Sequence, residues 1–135
     1  MRLETHNGIL SDSPTDEQIW DALASVNDAD NEMVYAILTR SDKPAAYIVA
    51  SGGPKAYSVE YHEQDKDYAA EGDVPYELVA FLFTSYNRGD DAWRAKVRWQ
   101  EVTLPPAGAR WAAPALVLVL VLLVVVAVLL YKMAQ

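Results

Sequence analysis

Residues 111–131 form a run of 21 without a single charged side chain, and this run limits what the rest of the chain can be. Between its terminal aromatics, Trp111 and Tyr131, lie 19 residues that have no polar side chain either. At 1.5 Å of rise per residue, about 20 apolar residues cross a hydrocarbon core roughly 30 Å thick. A helix that is apolar on every side needs a much larger fold than a chain of 135 residues can supply if it is to be hidden from water. The run therefore predicts a transmembrane helix. Trp111 and Tyr131 suit the two headgroup levels, with Arg110 and Lys132 just outside them as membrane-interface anchors. Pro114 falls in the first turn, where its missing N–H costs little.

Orientation follows from charge. Arg94, Lys96, Arg98 and Arg110 precede the run closely, and Lys132 alone follows it, so the larger N-terminal part is expected on the cytoplasmic side. No apolar segment near Met1 resembles a signal peptide, and four residues follow Tyr131. The expected topology is single-pass and tail-anchored in the inner (plasma) membrane. The run lacks Gly, Ser, Thr, Asn and ionisable residues, so it predicts an anchor and no ion path.

Without this segment the composition becomes ordinary. Residues 1–104 are about 44% hydrophobic, as in soluble domains. They hold all 19 acidic residues and nine of the 11 basic ones, a net charge of -10 against -8 for the whole chain. A surface that acidic has no basic footprint for phosphates, which excludes nucleic acid as a partner. The absence of Cys excludes disulfides, thiol chemistry and thiolate zinc sites.

The expected organisation is an acidic domain over 1–104, a Pro/Gly linker over 105–110, the membrane helix over 111–131 and a short tail over 132–135. A helix is predicted over 13–27, with Ser13 as N-cap, Pro14 in the first turn, and Ile19, Trp20, Leu23 and Val26 on its apolar face. A second is predicted over 75–87, with Asp73 near its cap and Gly89 beyond its end. Leu78, Val79, Leu82, Phe83 and Tyr86 form its buried face while Phe81 points elsewhere. Strands are expected over 33–40, 45–51, 56–62 and 96–104, with a further short edge strand in the first ten residues. Ser51, Gly52, Gly53 and Pro54 supply a hairpin turn, and the polar segment 64–72 reads as a loop. The fold class is α+β, a small two-layer domain with a mostly antiparallel sheet and two helices.

No chemistry assembles from these residues. His6 and His62 have no second metal ligand at a useful spacing, and the pairs Asp28/Asp30, Asp65/Asp67 and Asp90/Asp91 lack the length and terminal Glu of a calcium loop. Gly52 and Gly53 precede no phosphate-binding Lys, and no Ser occupies a nucleophile elbow. No catalytic residue, cofactor site or metal site is expected. Eight Tyr and four Trp point instead to a protein interface, where large amphipathic rings are favoured. Trp93, in a charged turn, is one candidate. Tyr35, Tyr47, Tyr57, Tyr61 and Tyr68 join it if their sheet face is open, and Asp65, Asp67, Glu71 and Asp73 supply an acidic patch beside them.

The segments TDEQIWDALASV, AAYIVASGGPKAYSVEY, VPYELVAFLFTSYNRGDDAW and VRWQEV give residues 13–102 a resemblance to the first immunity-protein family of bacterial polymorphic toxin systems. In that pattern a Pro-initiated helix leads to a Gly and then to a strand carrying a Trp, here Pro75, Gly89 and Trp99. The resemblance implies a small α+β inhibitor fold. Two functions are therefore expected. One is a non-catalytic, membrane-anchored accessory or assembly subunit of a bacterial membrane complex, for which a respiratory-chain assembly is a suitable host, binding an integral membrane complex or a soluble protein. The alternative is an immunity protein that neutralises a toxin at the inner membrane.

Overall fold

The computed structural model describes residues 1–28 and 33–103. Met1–Val102 makes one unit, a seven-stranded antiparallel sheet with two helices packed on one side of it. The strands are β1 (Arg2–Thr5), β2 (Gly8–Ser11), β3 (Tyr35–Thr39), β4 (Tyr47–Gly52), β5 (Tyr57–Glu63), β6 (Lys66–Ala70) and β7 (Trp99–Val102), and the helices are α1 (Asp16–Ser25) and α2 (Tyr76–Arg88). Their order across the sheet is β2-β1-β3-β4-β5-β6-β7. The α+β class read from the sequence is the observed one. Among the described residues no helix is long and apolar enough to cross a membrane. The expected membrane helix, with Arg110, Trp111, Tyr131 and Lys132, lies outside the described residues.

Alternation along the strands sorts the two faces. Leu3, Ala36, Leu38, Ile48, Ala50, Tyr57, Val59 and Tyr61 are buried beneath Ile19, Leu23, Val79, Leu82 and Phe83 of the helices. Each of the larger apolar side chains contributes about 1.5–3 kcal/mol by leaving water. Tyr57 ties the layers together, because its hydroxyl donates to the Leu23 carbonyl at 3.0 Å near the end of α1.

Several sequence expectations move. The cap of α1 is Thr15, two residues past Ser13: its hydroxyl accepts the Gln18 N–H at 3.2 Å while Gln18 Oε1 accepts the Thr15 N–H at 3.0 Å. This reciprocal capping box satisfies two helix donors at once, which a Ser13 cap followed by Pro14 does not do. The N-cap of α2 is Pro75, two residues after Asp73, and no side chain caps it. Gly89 ends α2 in the left-handed conformation, as its position suggests.

The N-terminus forms a hairpin of two strands, and β1 lies inside the sheet with β2 at the edge. The polar segment 64–72 contains β6, which pairs with β5 on one side and β7 on the other. Polar composition concealed it because only Tyr68 and Ala70 face the core side, while Asp67 and Ala69 face the other. Gln64 and Asp65 both take positive φ, 52° and 62°, and form the two-residue turn that reverses β5 into β6. Such a turn matches the twist of the strands it joins.

Candidate functional site

The aromatic residues expected at an interface separate by sheet face. Tyr57, Tyr61 and Trp93 are core residues, and Tyr68 is half-buried against the same core. Trp93 is 2% exposed, although charged residues flank it in sequence. A single 3-10 turn, Ala92–Ala95, directs its indole inward. Ser85 and Asp90 hold that turn: Ser85 Oγ accepts the Trp93 N–H at 3.1 Å and donates to Asp90, whose carboxylate accepts the Ala92 N–H at 3.0 Å. The Ser85 hydroxyl, helped by the Ala92 N–H, holds the Asp90 carboxyl below the usual range.

Around Trp93 the rings meet edge to face, with centroids 4.8 Å from Tyr61, 5.4 Å from Tyr86 and 5.6 Å from Trp99. Arg94 closes the cluster, lying 4.4 Å above the Trp93 ring and bonding Glu63 at 2.7 Å and Asp91 at 3.2 Å. Burial pushes the Tyr86 phenol up to about 12, against the opposing pull of Arg40. In the unfolded chain Tyr86 ionises near its ordinary 10, so the folded state binds more protons between those values. The stability that Tyr86 contributes is thus complete below about pH 10 and is lost as pH rises toward 12. Alkaline unfolding followed by circular dichroism should show this loss, and Tyr86→Phe should reduce the slope. An unchanged slope in the variant would assign the loss to other groups.

The four acidic residues expected as one patch are distributed. Asp65 lies in the turn before β6, Glu71 and Asp73 lie beyond its other end, and Asp67 on the strand pairs with His62 at 2.8 Å. That pair belongs to the sheet face opposite the helices, where Tyr47 stacks on the His62 ring at 5.5 Å. The cross-strand rows of this face run Arg2, Thr39, Tyr47, His62, Asp67, Val102, and Glu4, Ile37, Val49, Glu60, Ala69, Gln100. Tyr35, Ile37, Tyr47 and Val49 are half-buried there, interspersed with charged and hydroxyl groups. This is the composition of a solvated face of an antiparallel sheet. Among the described residues no three His or acidic side chains converge to hold a metal ion.

The helical side carries a more apolar feature. Trp20, expected on the buried face of α1, is 46% exposed, and Phe81 of α2 is 39% exposed. They flank an open groove of about 450 Å³ lined also by Tyr76, Glu77, Ala80, Thr84 and Arg88. Helices α1 and α2 run antiparallel beside it: the Tyr76 hydroxyl donates to the Trp20 carbonyl at 3.1 Å, Asn87 donates to the Pro14 carbonyl at 3.1 Å, and Arg88 pairs with Asp16. Small residues line its floor, because Ala80 and Thr84 lie one turn apart on α2. Burial, then the carboxylates of Asp21 and Glu77, push the Tyr76 phenol up. Lys96 sits over the Phe81 ring at 5.1 Å. Phe81 was legible as a residue off the buried stripe of α2, but Trp20 was not. Its spacing from Ile19, Leu23 and Val26 fits the core stripe, but the stripe that the sheet and α2 cover is Ile19, Ala22, Leu23 and Val26, and Trp20 stands at its border.

No protein-family model, curated protein or solved structure matches this chain.

Proposed function

We propose that this protein is a non-catalytic protein-binding module held at the inner membrane by the apolar segment 111–131, with the acidic domain on the cytoplasmic side, and that it serves as an accessory or assembly subunit of a bacterial membrane complex. The observation that carries the binding role is the groove between α1 and α2, where two large apolar side chains stand exposed on adjacent helices. Leaving Trp20 and Phe81 in water forgoes the burial that the domain gives to its other large rings, and exposed apolar patches of this kind mark interaction sites. The membrane role rests on the length and uniform apolarity of the segment. A respiratory-chain assembly is a suitable host for a subunit of this form.

Affinity purification of the full chain after extraction in mild detergent should recover membrane subunits at fixed stoichiometry, and deleting residues 111–131 should move the protein into the soluble fraction. A full-length protein recovered alone, or a deletion variant that stays with the membrane, would contradict this reading. The second reading, immunity against a toxin at the inner membrane, draws on the -10 charge of residues 1–104, which would speed association with a basic toxin. A toxin gene beside this one, and rescue of cells that express it, would favour that reading.

A further inference from the structure

We propose that the groove between α1 and α2 receives a basic amphipathic helix of a partner protein, about three turns long. This rests on the protein-binding reading above and names the chemistry of its partner. From Glu77 to Arg88 the lining residues extend along α2 for 11 positions, about 16 Å of helix axis, or three turns. The small side chains of Ala80 and Thr84 let an incoming helix approach closely, and Trp20 and Phe81 form walls that grip an apolar stripe. Tryptophan in such a position is the residue type that most often dominates binding energy.

The form of the occupant follows from what the groove lacks. Both walls are helices whose backbone groups bond within themselves, so an extended peptide finds no free row of N–H and C=O groups to pair with. The charge of the occupant follows from which groups are already engaged. Arg88 is paired with Asp16, while Lys96, over the Phe81 ring, forms no ion pair among the described residues and keeps its single positive charge. Asp21 on α1 and Glu77 on α2 form no ion pair among the described residues. Asp21 and Glu77 stand close enough to Tyr76 to raise its phenol. The charge left for a partner at this end is negative, so a Lys or Arg on the incoming helix is attracted. An anionic lipid surface is repelled by the same carboxylates. A second copy of this chain meeting groove to groove would place like charges against each other.

The test uses the full-length protein in the membranes of cells that make it. Phe81 is replaced by the photo-crosslinking residue p-benzoylphenylalanine, and in a parallel sample Tyr47, on the opposite sheet face, is replaced in the same way. The expected result is a protein adduct from position 81 whose crosslinked segment, sequenced by mass spectrometry, has apolar residues at helical spacing and an excess of Lys and Arg. The double variant Asp21→Lys with Glu77→Lys should lower that adduct at least tenfold while leaving the circular dichroism spectrum unchanged. A crosslinked segment that is acidic or lacks helical spacing, a second copy of this chain, a lipid adduct, or a yield unaffected by the charge reversal would overturn the proposal. Adducts from position 47 alone would overturn it and leave the protein-binding reading intact. Protein adducts from neither position would remove both.

Discussion

Replacing Trp93 by Ala is expected to destabilise the domain by about 4 kcal/mol, within the range measured for removing a buried indole. On a domain of about 100 residues that loss lowers Tm by roughly 20 °C. Two effects combine. The transfer of the indole out of water is lost, and the space it leaves is bounded by Tyr61, Tyr86 and Trp99, which touch it edge to face and cannot all close on it. Arg94 loses the ring beneath its guanidinium as well, although it keeps its bonds to Glu63 and Asp91. Trp20→Ala is the control, a change of identical chemistry at a side chain 46% exposed, with an expected cost of about 1–2 kcal/mol. Thermal unfolding of the two full-length variants in detergent, followed by near-ultraviolet circular dichroism, measures the difference. Equal costs, or a larger one at Trp20, would mean that the core and the groove have been assigned the wrong way round.

A comparable loss is expected for Gly53→Ala, for a different reason. Gly53 has φ +76° and Gly72 has φ +74°, so an L side chain meets the same backbone strain at both. They differ in their surroundings. A Cβ at Gly72 meets nothing within 4 Å, while one at Gly53 falls inside the contact distance of the Val26 carbonyl oxygen and 2.7 Å from the Tyr57 ring. Neither neighbour can withdraw cheaply. Val26 is the C-cap residue of α1, and Tyr57 is fully buried with its hydroxyl bonded to Leu23. Gly72→Ala should therefore cost about 1 kcal/mol, and Gly53→Ala about 3 kcal/mol or more once overpacking is added. Urea unfolding of both variants isolates the steric part as their difference. A difference under about 0.5 kcal/mol would show that α1 does not lean on the β4–β5 turn as described.

The elements with a strong period were legible from the sequence. Leu78, Val79, Leu82, Phe83 and Tyr86 give α2 its inner stripe, and the alternation of Tyr57, Val59 and Tyr61 gives β5 its phase. What failed did so for identifiable reasons. Strand β6 was hidden because polar residues surround and begin it, it has no large aliphatic side chain, and its turn uses Gln64 and Asp65 in place of the usual Asn-Gly pair. Asp91 and Arg94 flank Trp93 and suggest an exposed position, yet a 3-10 turn rotates the indole inward while those charges stay at the rim. The spacing of Trp20 suggests burial because a helical stripe has a width, and a residue at its border is covered or left open by whatever packs next to it.

The sequence alone determined that an acidic α+β domain precedes an apolar run of 21 residues without a charged side chain, since composition, charge and apolar period are local properties of the chain. It also determined that Tyr57 and Tyr61 share one face of a strand, whereas the uninterrupted apolar runs around Tyr35 and Tyr47 leave the facing of those two rings open. Only the tertiary structure decided which of those faces the helices cover. That choice depends on side-chain contacts between residues distant in sequence, such as Tyr57 with Leu23 and Tyr76 with Trp20, and no local pattern encodes them. The same contacts bring α1 beside α2, leaving Trp20 and Phe81 outside the core on either side of one groove.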